Sequence, residues 1–569
     1  MTATATMVNL SPAKLVLLAA HCAVEANIPG LTVLAARHSS VLRSDLLLRI
    51  LLTYLPETLP SSQYLDLIRQ IETGSFPDNL PDDFIDPFPV EGLTEQDAKK
   101  RVRKLKLLPL TAPEGLEEAG LDHTTLFLLR RAFRVDEEAG MLPELPALLL
   151  PFVDHAPCIR TLLVSSILPL IRRNCEYYPQ DTIPYTLQAF RRLPDEAAVS
   201  LLLSQTGVRE GDLHLVGRDL KGLIAPWLFD KRRWRKAGSD HESTELCPVW
   251  AEVLQWLTIQ ASKNWKVAVS AFQRWDGPWD ADLAGWGSAE LTDEQRAYLE
   301  EGYVRAALAS AYLIPEANPE ALDGAYTLLS RAAALHNLEP VSPLASAVSL
   351  LPPLTEQIPD ELTSVRNLLY SRNDLLSTSN PLTAPTDGSV VLLQALVLSA
   401  HLLSKAGCPC TVRRAAELAL LQDEREQKKE VLSLIRAISM NGPKSDDRYW
   451  IKARNEILWL RDWGAEDGWG AAEMAPRGVF GQVKKEFLEV EFLKALLANT
   501  SKWLWAISYN IHADFSGYTL ARNIYEESPD HSLDEKTLHD TIYAIAMAAY
   551  DNASNPNRHR GGLKKCDEM

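Results

Sequence analysis

The stretch that most constrains this chain runs from Gly478 to Thr500, GVFGQVKKEFLEVEFLKALLANT. Gly478 and Gly481 break helical structure at its entry, and no Gly or Pro follows up to Thr500. Wound at 3.6 residues per turn, Val483, Phe487, Leu488, Val490, Phe492, Leu493, Ala495, Leu496 and Leu497 cover nearly the whole circumference. A helix apolar on all sides is stable only between several neighbours. With Lys484, Lys485 and Glu486 at its start, it is too short and too charged to cross a bilayer. The expectation is therefore a core helix in a stack of helices, with no nucleophile, metal ligand or phosphate loop of its own.

Almost every other segment also reads as helix. Ser11 is placed to cap a first helix with Pro12 at its opening position, and Leu15, Leu18, Cys22 and Ala26 share a face. A proline-rich acidic link spans 74–92, after which Thr94 and Asp97 resemble a capping pair. Periodicity and breakers predict helices over 44–55, 61–72, 123–138, 144–155, 158–174, 182–205 and 212–224. Further helices are predicted over 247–272, 293–313, 319–336, 360–377, 389–405, 411–439 and 446–463. In the last, Trp450, Ala453, Ile457 and Leu460 form the apolar face. Period-two alternation is scarce, so no sheet is expected. The fold class is all-α, an irregular α-solenoid of stacked helix pairs. Its blocks are 1–229 and 247–569, separated by a polar linker or loop over 230–246 that contains KRRWRK.

A solenoid also accommodates 569 residues, since it grows by adding repeats instead of enlarging one core. The formal net charge of −17 argues against bulk binding of nucleic acid, which needs a basic face. The seven cysteines are scattered, and Cys408 and Cys410 form CxC without histidines nearby, which reads as reduced thiols. Residues 14–20 faintly resemble a signal core, but no Lys or Arg precedes them, and an amphipathic helix is the better reading. The apolar run 390–403 falls short of a membrane span.

Candidate chemistry is sparse. Asp82, Asp83 and Asp86 form a DDxxD, the spacing with which all-α terpene synthases hold magnesium against a diphosphate. Asn373, Asp374 and Ser377 begin the second motif of such enzymes, but Pro381 stands where its glutamate is required. Prolines at 81 and 87 also flank the first motif. His241-Glu242 lacks a second histidine, and Gly442-Pro443-Lys444-Ser445 lacks the earlier glycine of a phosphate loop. No catalytic residue, cofactor site or metal site is assigned. The strongest charge run is Lys99, Lys100, Arg101, Arg103, Lys104 and Lys106, around an apolar face of Ala98, Val102 and Leu105. These six are the candidate partner-binding residues, toward anionic lipid or an acidic partner helix.

LSPAKLVLLAAHCAVEANIPGLTVLAARH (10–38), SDLLLRILLTYLPET (44–58) and AKKRVRKLKLLPL (98–110) resemble the Sec thirty-nine domain family of fungi. So do the 478–500 stretch and YDNASNPNRHRGGLKK (550–565). The neuroblastoma-amplified-sequence protein is the animal relative of that family. The resemblance implies an α-solenoid subunit of the Dsl tethering complex on the cytosolic face of the endoplasmic reticulum. There it would capture vesicles returning from the Golgi, bind ER SNAREs and another tether subunit, and meet the membrane peripherally through its partners. It implies no catalytic residue and no nucleic-acid partner. In the family, ALLANT runs more directly into YTLARNIYEE, so 501–517 is expected to be an extra loop or a retained intron. Ending at Met569, the chain is expected to lack a part that family members carry. The alternatives to a tethering scaffold are a magnesium-dependent terpene-type enzyme and a generic helical-repeat adaptor.

Overall fold

A computed structural model describes residues 10–77, 85–114, 116, 120–228, 235–236, 245–283, 291–352, 372–442, 446–463, 478–503, 517–526 and 533–551. The fold is all-α, in keeping with a helical solenoid. The sole departure among the described residues is a two-residue antiparallel ladder pairing Arg235 with Leu246 and Lys236 with Glu245. The chain divides into two compact units. One takes Met1–Val208, Asp219–Val249 and Pro278–Glu290; the other takes Arg209–Arg218, Trp250–Gly277 and Leu291–Met569.

The first unit begins as the sequence predicts. The Ser11 hydroxyl caps Pro12–Val24, whose Leu15, Leu18 and Cys22 are buried. Ala26 lies past the end of that helix with φ 52°, so it does not share the face. Pro12–Val24 packs against Ile28–Arg37, Ser44–Tyr54 and Glu95–Lys104, and Ser44–Tyr54 packs against His123–Ala139. Arg131 is fully buried and donates to the Leu55 and Pro56 carbonyls at 2.8 and 2.5 Å, closing the end of Ser44–Tyr54. The helical run from Pro157 to Tyr177 widens twice, at Leu163–Ile167 and Arg173–Tyr177. Pro169 has no N–H to give its own turn, and the wide turn just before it relieves the clash with the preceding carbonyls.

The predicted helix over 182–205 is instead two short ones, Leu187–Arg191 and Asp195–Leu202. Pro184 disfavours helical backbone at the residue before it, and Thr186 starts the first helix by accepting from the Ala189 amide. Tyr178 and Tyr185 flank the Arg173 guanidinium, their ring centres 4.0 and 5.1 Å away.

In the second unit, Asp293–Leu313 opens with a full capping box from Thr292 and Gln295 and packs on Pro319–Leu335. Next along this stack come Asp387–Lys405 and Val412–Leu421. Asp387–Lys405 is long and apolar enough to span a membrane by composition, but 83% of that window is buried inside the protein. Two predicted helices are interrupted. The one over 247–272 breaks at Asn264, and the one over 411–439 breaks at Gln422, whose φ is 52°. Asp423 then caps Glu424–Asn441 by accepting from Arg425 and Glu426. Of the predicted helix 360–377, residues 372–377 lie within the described residues, and of these only Arg372–Leu375 is helical.

The organising stretch forms Lys485–Trp503, in contact with Glu424–Asn441, Asp447–Asp462, Gly517–Tyr525 and Glu535–Asp551. Burial is not all round, as the composition suggested. Leu488, Phe492, Leu493, Leu496 and Leu497 are buried, while Lys484, Lys485, Glu486, Lys494 and Ala498 are exposed. Its four neighbours cover the stripe from Leu488 to Leu497 and leave Lys485, Glu486, Lys494 and Ala498 to solvent.

Candidate interaction surfaces

Glu95–Lys104 carries the basic row. Its start is fixed by Thr94, whose hydroxyl accepts from the Asp97 amide at 3.2 Å and donates to the Asp97 carboxylate at 2.6 Å. Ala98 is fully buried against Pro12–Val24. Beyond Lys104 the chain turns extended and is pinned from the Ser44–Tyr54 helix. Arg49 donates to the Leu107 and Leu108 carbonyls at 3.2 and 3.1 Å, and Thr53 accepts from the Leu108 amide at 2.9 Å. The platform is thus held at its cap, its underside and its exit.

Lys99, Lys100, Arg101, Arg103, Lys104 and Lys106 are all exposed on it. Lys99 pairs with Glu95 at 3.2 Å, one turn away on the same helix. The other five form no ion pair with a described residue. A shallow open depression is lined by Gln96, Lys99, Lys100, Arg103 and Lys104. The exposed face of the helix holds no large apolar side chain. The structure therefore exposes all six candidate residues and gathers Lys99, Lys100, Arg103 and Lys104 around one depression, which is charge without an apolar anchor.

The diphosphate motif finds no such support. Asp82 and Asp83 lie outside the described residues. Asp86 accepts from the Phe88 amide at 3.0 Å and so caps a turn. In the second motif the Asn373 side chain lies outside the described residues, and the Asp374 carbonyl serves its own loop by accepting from Ser377 and Asn380. No group of three or more His, Cys, Asp or Glu able to hold a metal occurs among the described residues. Burial pushes the Cys410 thiol up to about 12 and also raises Cys408, which opposes the thiolate that metal binding or nucleophilic chemistry needs. The 231–234 part of KRRWRK, His241-Glu242, Lys444, the 504–516 part of the expected insertion 501–517 and the 552–569 segment all lie outside the described residues.

One polar feature escaped the sequence reading. Glu489 sits fully buried on Lys485–Trp503. Arg454 of Asp447–Asp462 grips it through two nitrogens at 2.9 and 2.5 Å, and the Tyr525 hydroxyl donates to it at 2.9 Å. Burial, reinforced by the Glu489 charge, pushes the Tyr525 phenol well above its ordinary value. Burial alone would lower the Arg454 guanidinium, but its hydrogen bond and charge contact with Glu489 raise it instead. Largely buried and with each of the three bonded to another, this cluster is a fastening between three helices. Among the acids of this stretch, Glu489 alone stands both three residues before Phe492 and four before Leu493, on the buried stripe, and that spacing was the signal available in the sequence.

No curated protein matches the chain. A family model does, that of the secretory pathway protein Sec39, over residues 16–569. That span covers both units and essentially the whole chain, so this protein belongs to the Sec39 family of secretory pathway proteins.

Proposed function

We propose that this protein is a non-catalytic scaffold subunit of a vesicle tethering complex at the cytosolic face of the endoplasmic reticulum. It acts in Golgi-to-ER retrograde transport by holding ER SNARE proteins and another tether subunit on its helical surfaces. The observation that carries this reading is the family match across residues 16–569 of a chain made of helix packed on helix. In such a protein specificity resides in exposed side chains on helix faces, and binding needs no reacting group. The basic row from Lys99 to Lys106 is the surface of the first unit that meets an anionic counterpart.

Affinity isolation of the tagged chain from a fungal lysate, followed by mass spectrometry, tests the assignment. ER SNAREs and tether subunits should be recovered together, and the chain should fractionate with ER membranes yet be released by salt or carbonate. A chain isolated without either class of partner, in an unrelated compartment, would overturn the proposal.

A further inference from the structure

The basic row reads in more detail than as a generic anionic contact. Six cations stand within 99–106, on a chain whose formal net charge is −17. At about 100° per residue, Lys99, Lys100, Arg101, Arg103 and Lys104 fan across roughly 200° of the helix. A partner helix docks along a narrow stripe and takes apolar anchors at i, i+3, i+4 and i+7. Glu95–Lys104 offers none, because its apolar positions are turned inward: Ala98 is buried, and Val102 and Leu105 are half-buried. A sheet of lipid headgroups makes no such demand. It supplies dense negative charge without shape, and long Lys and Arg side chains reach it from a wide arc. Repulsion from acidic residues elsewhere fades beyond about 8 Å at physiological salt.

A second observation points the same way. The short helix Phe88–Glu91 packs against Pro12–Val24, the helix that also supports the basic row. Val90 fills that contact, whereas Phe88 is 79% exposed. Lys14 donates to the Glu91 carbonyl at 3.1 Å and ties the two parts together. An exposed aromatic and a bank of cations held by the same supporting helix are the make-up of an interfacial membrane contact.

We infer that the surface built from Lys99, Lys100, Arg101, Arg103, Lys104 and Lys106, with Phe88 carried on the same supporting helix, seats this protein directly on an anionic lipid bilayer. The inference deepens the proposed function only at the basic row. Its test uses the purified full chain, so a negative result leaves the scaffold role standing and removes the lipid contact alone.

Flotation with phosphatidylcholine vesicles, with and without about 30 mol% phosphatidylserine or phosphatidylinositol, is the experiment. The chain should float with the anionic vesicles only, and should be released between about 0.1 M and 0.5 M salt. Reversing Lys99→Glu, Lys100→Glu, Arg103→Glu and Lys104→Glu together should weaken binding by about 100-fold or more, as each cation near such a surface contributes roughly fivefold. Because these side chains are exposed, melting should be unchanged, and the matching Lys→Arg replacements should keep binding. Phe88→Ala should weaken binding several-fold; unchanged binding would remove Phe88 from the contact. Flotation that survives the four reversals would overturn the inference. So would failure to bind anionic vesicles at low salt by a chain that captures a Glu-rich helical peptide under the same conditions.

Discussion

Replacing Arg454 with Met isolates the most exacting interaction in the second unit. Glu489 is 0% exposed and Arg454 13%, so the substitution leaves a carboxylate in the core with only the Tyr525 hydroxyl to face it. Removing one partner of a buried ion pair costs about 3–5 kcal/mol, mostly the penalty of the charge left behind. For a unit of roughly 300 residues, an unfolding entropy near 2.1 cal/mol/K per residue turns that loss into a fall of about 5–8 °C. The measurement is differential scanning calorimetry, read for the transition that contains Lys485–Trp503. Hydrogen exchange of the 485–497 amides identifies that transition, since a chain of two units has no single melting point. Arg454→Met, Glu489→Leu and Tyr525→Phe together should recover most of the loss, because an apolar triad of similar volume carries no desolvation penalty. A single Arg454→Met costing less than about 1 kcal/mol, or a triple variant no better than the single, would refute the assignment of the cost to a stranded charge.

Three further predictions rest on particular contacts. Leu493→Asp places a carboxylate at a fully buried site and gives up a buried leucine, at a combined cost of roughly 5 kcal/mol, and should expose the C-terminal helices to protease; unchanged melting and protease resistance would show the site is not core. Gly478→Ala puts a methyl group 2.8 Å from the Arg461 carbonyl carbon, backbone that cannot swing aside, and should cost about 1–3 kcal/mol by chemical denaturation. His401→Gln should flatten the acid side of the stability profile. Burial, with Lys405 next in effect, holds the folded His401 below its ordinary value of 6.5. The unfolded chain therefore takes up the proton first, and this site's stabilisation is lost as pH falls from about 6.5 through the folded value; a Gln variant whose acid profile matches the parent would remove His401 from that role.

Local signals were readable where one residue decides the outcome. Ser11 and Thr94 cap helices as their types suggest, because a hydroxyl beside free amides has few better options. The Trp450, Ala453, Ile457 and Leu460 face is buried as its spacing implies. Interruptions without Pro or Gly were not readable. Gln422 enters the left-handed region and Asn264 leaves the helix, although neither type forces a break, and tertiary packing made that choice. The 478–500 stretch misled in one respect: apolar composition gives the number of greasy positions, and only the neighbours determine which of them face solvent. Glu489 went unread because an acid in such a stretch is ordinarily solvated, and its partners Arg454 and Tyr525 are distant in sequence. The basic row was legible in full as residues. What the sequence lacked was the inward turn of Ala98, Val102 and Leu105, which strips the exposed face of apolar anchors.

Neither compact unit is a continuous piece of chain. The backbone passes from one to the other at 208–209, 218–219, 249–250, 277–278 and 290–291. Cleavage at any one position therefore cannot liberate either body whole, and a protein shortened from one end strands ribbons that belong to the body it was meant to preserve. Ribosomal synthesis meets the same constraint: the first body cannot finish until 278–290 has emerged, long after its opening helices are free to collapse. Deletion studies in the middle of this chain should accordingly be read as damage to both bodies at once.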